Sequence, residues 1–212
     1  MLYLKSFTFN PFQQNTYLVF DDSGSAFIID PGNYGHTEDQ QLKNFIEEKK
    51  LTLKRLLLTH GHIDHVLGNK FIFDTYGLLP EVHKDDLFFL ERMAQSAAMY
   101  GLTCDPSPMP QLFLSEGDQI RLGNYVFNCI YTPGHSPGSI SFYNKENKIL
   151  IGGDVLFKGS VGRSDLPGGD HETLIRSIKE KLFVLGDDIK VHSGHGDPTL
   201  TGKEKASNPF LT

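Results

Sequence analysis

The chain contains no tryptophan and only two cysteines, Cys104 and Cys129, far apart and in no CxxC spacing. A disulfide framework is therefore not expected, and a reducing compartment is the simpler setting. Basic charge is in deficit: 20 Lys and Arg stand against 26 Asp and Glu, a formal net charge of −6. That argues against a nucleic-acid backbone or an anionic membrane surface as the main partner. No apolar run approaches the ~20 residues of a transmembrane helix. The opening MLYLKSFTFN also lacks the basic region and long apolar core of a signal peptide. These absences together lead to the expectation of a cytoplasmic protein.

What is present suits a globular α/β chain: 212 residues, 39% hydrophobic and 22% charged. LYLKSFTF, QNTYLVFD and SAFIID read as strands, the last ending at Pro31-Gly32. HTEDQQLKNFIEEKK reads as a helix, with Thr37 and Gln40 at capping-box spacing and an apolar face of Leu42, Phe45 and Ile46. TLKRLLLT returns to a buried strand. KDDLFFLERMAQSAAMYG reads as one helix closed by Gly101, with Leu87, Leu90, Met93, Ala94 and Ala97 as its core stripe. The loop CDPSPMPQ precedes the strands DQIRLG, YVFNCIYT, SISFYN and KILIGG. A last helix runs from near Asp170 to Gly186, and DIKVHSG is a final strand before a short tail. No close repeat or low-complexity linker interrupts this order, so the expectation is one domain, 1–212, with helices on a central β layer.

The densest chemistry lies in LLLTHGHIDHVLG, Leu56 to Gly68. In extended backbone, residues two apart point the same way, so His60 and His62 can aim at one point past the strand. Asp64 and His65 follow, and adjacent side chains diverge. The spacing therefore favours two sites, His60 with His62 and Asp64 with His65. Imidazole and carboxylate suit zinc, iron or manganese. Further ligands are offered where apolar strands run into Gly- and Pro-rich turns: His135 in TPGHSPGS, Asp154 in IGGDVLF and His195 in HSGHGDP. If the aspartate bridges, each ion has about three protein ligands and an open position for water, the mark of a catalytic site.

THGHIDH resembles the T-H-x-H-x-D-H signature of the metallo-β-lactamase superfamily. TPGHSPGS, GGDVLF and SGHGDPT are similar to its remaining ligand motifs, in the same order, from about Thr16 to Thr199. The resemblance implies a four-layer αββα sandwich with metals at one edge. It implies two divalent ions, zinc first, with iron or manganese as alternatives. His60, His62 and His135 would hold one ion and Asp64, His65 and His195 the other, with Asp154 bridging. Within the superfamily the chain is most similar to glyoxalase II-like hydrolases, through Asp154 and the Gly-Arg loop GSVGRSDLPGGD. The chain ends soon after His195, so the helical domain that helps glyoxalase II hold glutathione is not expected.

The activity this implies is hydrolysis of a small-molecule thioester such as S-lactoylglutathione by hydroxide held between the metals. Asp64 and Asp154 would be the catalytic carboxylates. Arg163 would bind a substrate carboxylate or else pair with Asp165. The main alternative is a persulfide-type sulfur dioxygenase with one Fe(II) on His60, His135 and Asp154. A nuclease of the same superfamily is disfavoured by the acidic charge.

Other candidates have plainer readings. His36 and His171 read as surface or capping residues at helix starts, His192 as strand packing, and His83 as a partly buried histidine. Cys104 and Cys129 read as inert. GDPTLTGK has five residues between its glycines and no helix pattern after it, so it is not a phosphate loop.

Overall fold

In a strand buried on both faces, successive residues enter different cores, so the strand reads as an unbroken apolar run. Leu18-Val19, Ile28-Ile29 and Leu56-Leu57 behave this way. The first of each pair joins a core under helices, and the second joins a core between two sheets. The computed structural model describes residues 1–212. Its first six-stranded sheet has the order β1 (Leu2–Phe9), β2 (Gln14–Asp21), β3 (Ser25–Ile29), β4 (Thr52–Leu57), β5 (Pro80–Val82), β6 (Leu112–Phe113). Covering it are α1 (His36–Glu48), α2 (Ile63–Val66), α3 (Asn69–Tyr76), α4 (Leu87–Glu91) and α5 (Met93–Met99).

The second six-stranded sheet contains β7 (Gln119–Leu122), β8 (Tyr125–Tyr131), β9 (Ile140–Asn144) and β10 (Ile149–Gly153). A small hairpin, β11 (Leu156–Phe157) with β12 (Ser160–Val161), follows, and then α6 (His171–Ser177). The sheet is completed by β13 (Lys190–Ser193) beside β10 and β14 (Thr199–Leu200) at the edge, before α7 (Thr201–Ser207). Phe27, Ile29 and Leu57 meet Phe127, Phe142 and Ile151 between the sheets. Leu150 and Val191 on the far face meet Leu174, Ile178 and Leu182. The layers are thus helix, sheet, sheet, helix, the αββα sandwich.

The two halves repeat a topology that the residue pattern does not display. Antiparallel β1-β2-β3 leads through α1 to β4, parallel to β3. Antiparallel β8-β9-β10 leads through α6 to β13, parallel to β10. The C-terminal ends of the parallel strands in both sheets open on one edge of the sandwich, the usual place for a site in such sheets.

Several local expectations need correction. The capping box of Thr37 and Gln40 does not form. Gly35 is the N-cap, and Glu38 instead accepts the N–H of Tyr34 at 2.8 Å and of Asn10 at 3.0 Å. The single helix expected over 84–101 breaks at Arg92 into α4 and α5, and Ala94 is exposed. A helix pattern was not expected after GDPTLTGK, yet α7 begins at Thr201. Its hydroxyl donates to the Gly186 carbonyl at 2.6 Å and accepts from the Ile189 N–H at 3.3 Å, so it is fully engaged in the fold. Helix α2 begins inside the ligand motif and α3 comes just after it, and neither is among the helices expected from the sequence.

Candidate metal centre

His60 lies just past β4, His62 is the residue before α2, and Asp64 and His65 are in its first turn. The segment is therefore a strand end running into a helix, not extended throughout. Ligand-grade atoms still gather in clusters, among them Asp30, His60 and His65. His60, His62 and His135 form one group and Asp64, His65 and His195 another, with one ligand atom of each residue within 4.8 Å of the others in its group. In the first, His62 Nδ1 lies 2.8 Å and His60 Nε2 3.2 Å from His135 Nε2. In the second, Asp64 Oδ2 lies 3.0 Å from His195 Nε2 and 3.6 Å from His65 Nε2. Asp154 stands between them, with Oδ2 3.6 Å from His135 Nε2 and 3.5 Å from His195 Nε2, and Oδ1 3.4 Å from His65 Nε2.

What lies behind the rings sets their tautomers. His135 Nδ1 donates to the Arg163 carbonyl at 2.7 Å, and His195 Nδ1 to the Phe12 carbonyl at 3.1 Å. His65 Nδ1 donates to Asp30 Oδ2 at 3.0 Å. The Thr59 hydroxyl donates to Asp30 at 2.6 Å, so at 3.0 Å it accepts from His60 Nδ1. Each of these rings keeps its proton on Nδ1 and commits it to a hydrogen bond, which leaves the Nε2 lone pair facing the centre.

Burial holds His60 well below the ordinary histidine range, with the charges of the neighbouring imidazoles adding to it. Burial and His135 push His62 down to about 3, and burial lowers His135. The first set is thus neutral. In the second, burial also acts to lower His65 and His195, but Asp64 and Asp154 together outweigh it and raise both.

Such a convergence of lone pairs suits a cation. His65 Nε2 and Asp154 Oδ1 are buried without a hydrogen-bond partner and face each other across the centre. A Cβ at Gly194 would lie 2.0 Å from Asp154 Oδ1, so only glycine permits this approach. The donor set of imidazole nitrogens and carboxylate oxygens fits zinc, iron or manganese.

A sequence profile of the metallo-beta-lactamase superfamily matches residues 9–195. The chain belongs to the metallo-beta-lactamase superfamily. It is 44% identical to the hydroxyacylglutathione hydrolase GloC of Haemophilus influenzae, over 94% of this chain and 93% of the relative. The BLEG-1 B3 metallo-beta-lactamase superposes with a TM-score of 0.91 at 35% identity, covering 99% of this chain and all of that one. TTHA1623, solved in a di-iron-bound form, superposes with a TM-score of 0.88 at 38% identity, over 98% of this chain and all of that one. The protein is thus a metallo-hydrolase of that superfamily with a His/Asp cluster able to bind metals.

The cluster forms the floor of a cavity of about 350 Å³, walled by Phe12, Phe89, Met99, Tyr100, Leu166 and Pro167. Arg163 reaches the same cavity, but its guanidinium makes two 2.8 Å bonds to Asp165, and both side chains are exposed. Of the remaining histidines, His36 and His171 are exposed at helix starts. His192 is buried in β13 with its ring on edge to Tyr17, and His83 is buried and stacks on Tyr131. Burial pushes the Cys129 thiol up to about 12, in keeping with an inert cysteine.

Sequence reasoning missed Asp30, Thr59 and Asp86. Asp30 carried a signal: IIDPG ends an apolar strand in an aspartate, as IGGDV does. It is fully buried, and its φ of 50° is a left-handed conformation uncommon outside glycine and asparagine. Asp86 carried none, because acidic residues near a helix start normally face solvent.

Proposed function

We propose that the protein hydrolyses thioesters of small thiols, S-lactoylglutathione among them, with two divalent ions, zinc first, held by His60, His62 and His135 and by Asp64, His65 and His195, with Asp154 shared. The observation that carries this is Asp154 standing within 3.6 Å of ring nitrogens from both sets, under a cavity with apolar walls. When bound, such ions polarise a carbonyl and bring the pKa of water from ~15.7 towards ~7.

The chain's own residues do the rest. The Nδ1 bonds to Arg163, Phe12, Asp30 and Thr59 keep the rings from turning. Asp64 and Asp154 present carboxylate oxygens to the same centre and orient the attacking water. Phe89 and Tyr100 exclude bulk water around the acyl group, and Arg163 at the rim offers a cation to a substrate carboxylate. A departing thiolate has a pKa near ~8.5 and needs no proton donor. An amide would need one, which favours a thioester over a β-lactam.

The test is loss of thioester absorbance from S-lactoylglutathione with zinc-loaded protein. The expected outcome is turnover that disappears in Asp154→Ala. No turnover by wild-type protein carrying two metals per chain would overturn the glyoxalase II-like assignment. Oxygen uptake with a persulfide by protein carrying one iron would replace it with the dioxygenase reading.

A further inference from the structure

The sequence places His60-Gly61-His62 and His135-Ser136-Pro137-Gly138 in loops of different sheets. One side chain ties them together. Asp86, 0% exposed, accepts the Gly61 N–H at 2.8 Å and the Ser136 hydroxyl at 2.8 Å on Oδ2, and the Gly138 N–H at 2.6 Å on Oδ1. Gly61 lies between His60 and His62, and Ser136 and Gly138 are one and three residues past His135; of the second set only Asp64, three residues past Gly61, falls within that distance, and Asp86 makes no bond to it.

The surroundings are shaped for this contact. A Cβ on Gly61 would lie 2.9 Å from both the Asp86 carbonyl oxygen and Phe89 Cβ, and one on Gly138 would lie 2.6 Å from Asp86 Oδ1. Both glycines thus let the loops close on the carboxylate. Three donors converge on it, which a carboxylate can satisfy and a carboxamide cannot, because its NH₂ would face one of them. A residue that only filled the core would be apolar. A buried carboxylate is retained where its bonds hold something in place.

We infer that Asp86 is a positioning residue that holds the His60–His62 loop and the His135 loop at the spacing needed for one of the two metals and leaves the other metal's residues untouched. This rests on the reading that the first set holds an ion, and the test keeps the two apart.

The experiment is a Zn²⁺ titration of the intact chain against a chromophoric chelator, for wild type and Asp86→Asn, with thermal melting of each metal-free protein as fold control. The expected result is one ion held as in wild type and the other loosened ~10–100-fold, the usual effect of losing a residue that orients metal ligands. The Co²⁺-loaded variant would lose the visible absorption of one ion only. Ser136→Ala removes one bond of three and keeps the carboxylate. It should loosen the same ion by a smaller factor, and it serves if Asp86→Asn does not fold. Equal loosening of both ions, or no change in either, overturns the positioning role. Uptake of a single ion by wild type overturns the two-metal reading separately. In that case an unchanged affinity in both variants also overturns the positioning role, and a loss of ~10-fold or more upholds it.

Discussion

Gly194 lies where the backbone passes closest to the proposed bridging carboxylate. A Cβ there would lie 2.0 Å from Asp154 Oδ1 and 2.6 Å from His65 Cε1. Gly194→Ala should push Asp154 off centre, and misplacement by about 1 Å costs on the order of 10²-fold in rate. Thioester hydrolysis should fall by that factor while the metal-free protein melts near the wild-type temperature. A rate within a factor of two of wild type would show that the carboxylate is not held at this spot. Arg163 gives a second test. Its pairing with Asp165 is fully exposed, and such pairs add little to stability. Arg163→Ala should therefore leave the melting temperature unchanged, and it keeps the backbone carbonyl that His135 uses. KM for S-lactoylglutathione should rise several-fold with kcat little changed. An unchanged KM would mean that the guanidinium serves only Asp165.

Among the elements, β13 carries a group outside the metal cluster whose charge is linked to folding. Burial, with Lys190 adding to it, pushes His192 down to about 4. A histidine whose folded pKa lies below its ordinary ~6.5 contributes its full stability above 6.5. That contribution is lost as the pH falls through about 4, because the unfolded chain binds the proton more readily. Wild type should lose on the order of 3 kcal/mol across this window through His192 alone. His192→Phe should lack that part of the acid sensitivity, seen as a flatter course of urea midpoint against pH with both proteins in the same metal state. Parallel curves would show that His192 does not titrate as its burial requires. The break between α4 and α5 matters at this scale too. It lets Phe89 face the His62 ring at 4.6 Å while Leu90 and Met93 stay in the core. An unbroken helix would have been read, and was expected, as core packing alone.

At the scale of the whole molecule, the proposed metals join the two sheets. Asp30, His60, His62 and His65 follow strands of the first sheet, and His135, Asp154 and His195 follow strands of the second. A ligand that binds only the folded chain at a thousand times its Kd stabilises it by ~4 kcal/mol per site. Removal of metal by a chelator should lower the melting temperature, and added Zn²⁺ should restore it. Chelator-insensitive melting, in protein shown to lose its metal, would mean that the cluster is not bridged by ions. No helix is long and apolar enough to cross a membrane.

Much of this was legible in the sequence. Consecutive apolar residues marked strands buried on both faces, and histidines and aspartates at strand ends marked the cluster, because local spacing and residue chemistry leave their imprint within a few positions. The sequence by itself determined which residues carry metal-grade donors, and the spacing from His60 to His65 led to the expectation of two sets. It did not determine that Asp30 and Thr59 fix the ring tautomers from behind, or that Asp86 ties two loops together. Those depend on chain segments tens of residues apart being brought within hydrogen-bond distance. Only the packing of one sheet against the other supplies that contact, and a linear pattern carries no record of it.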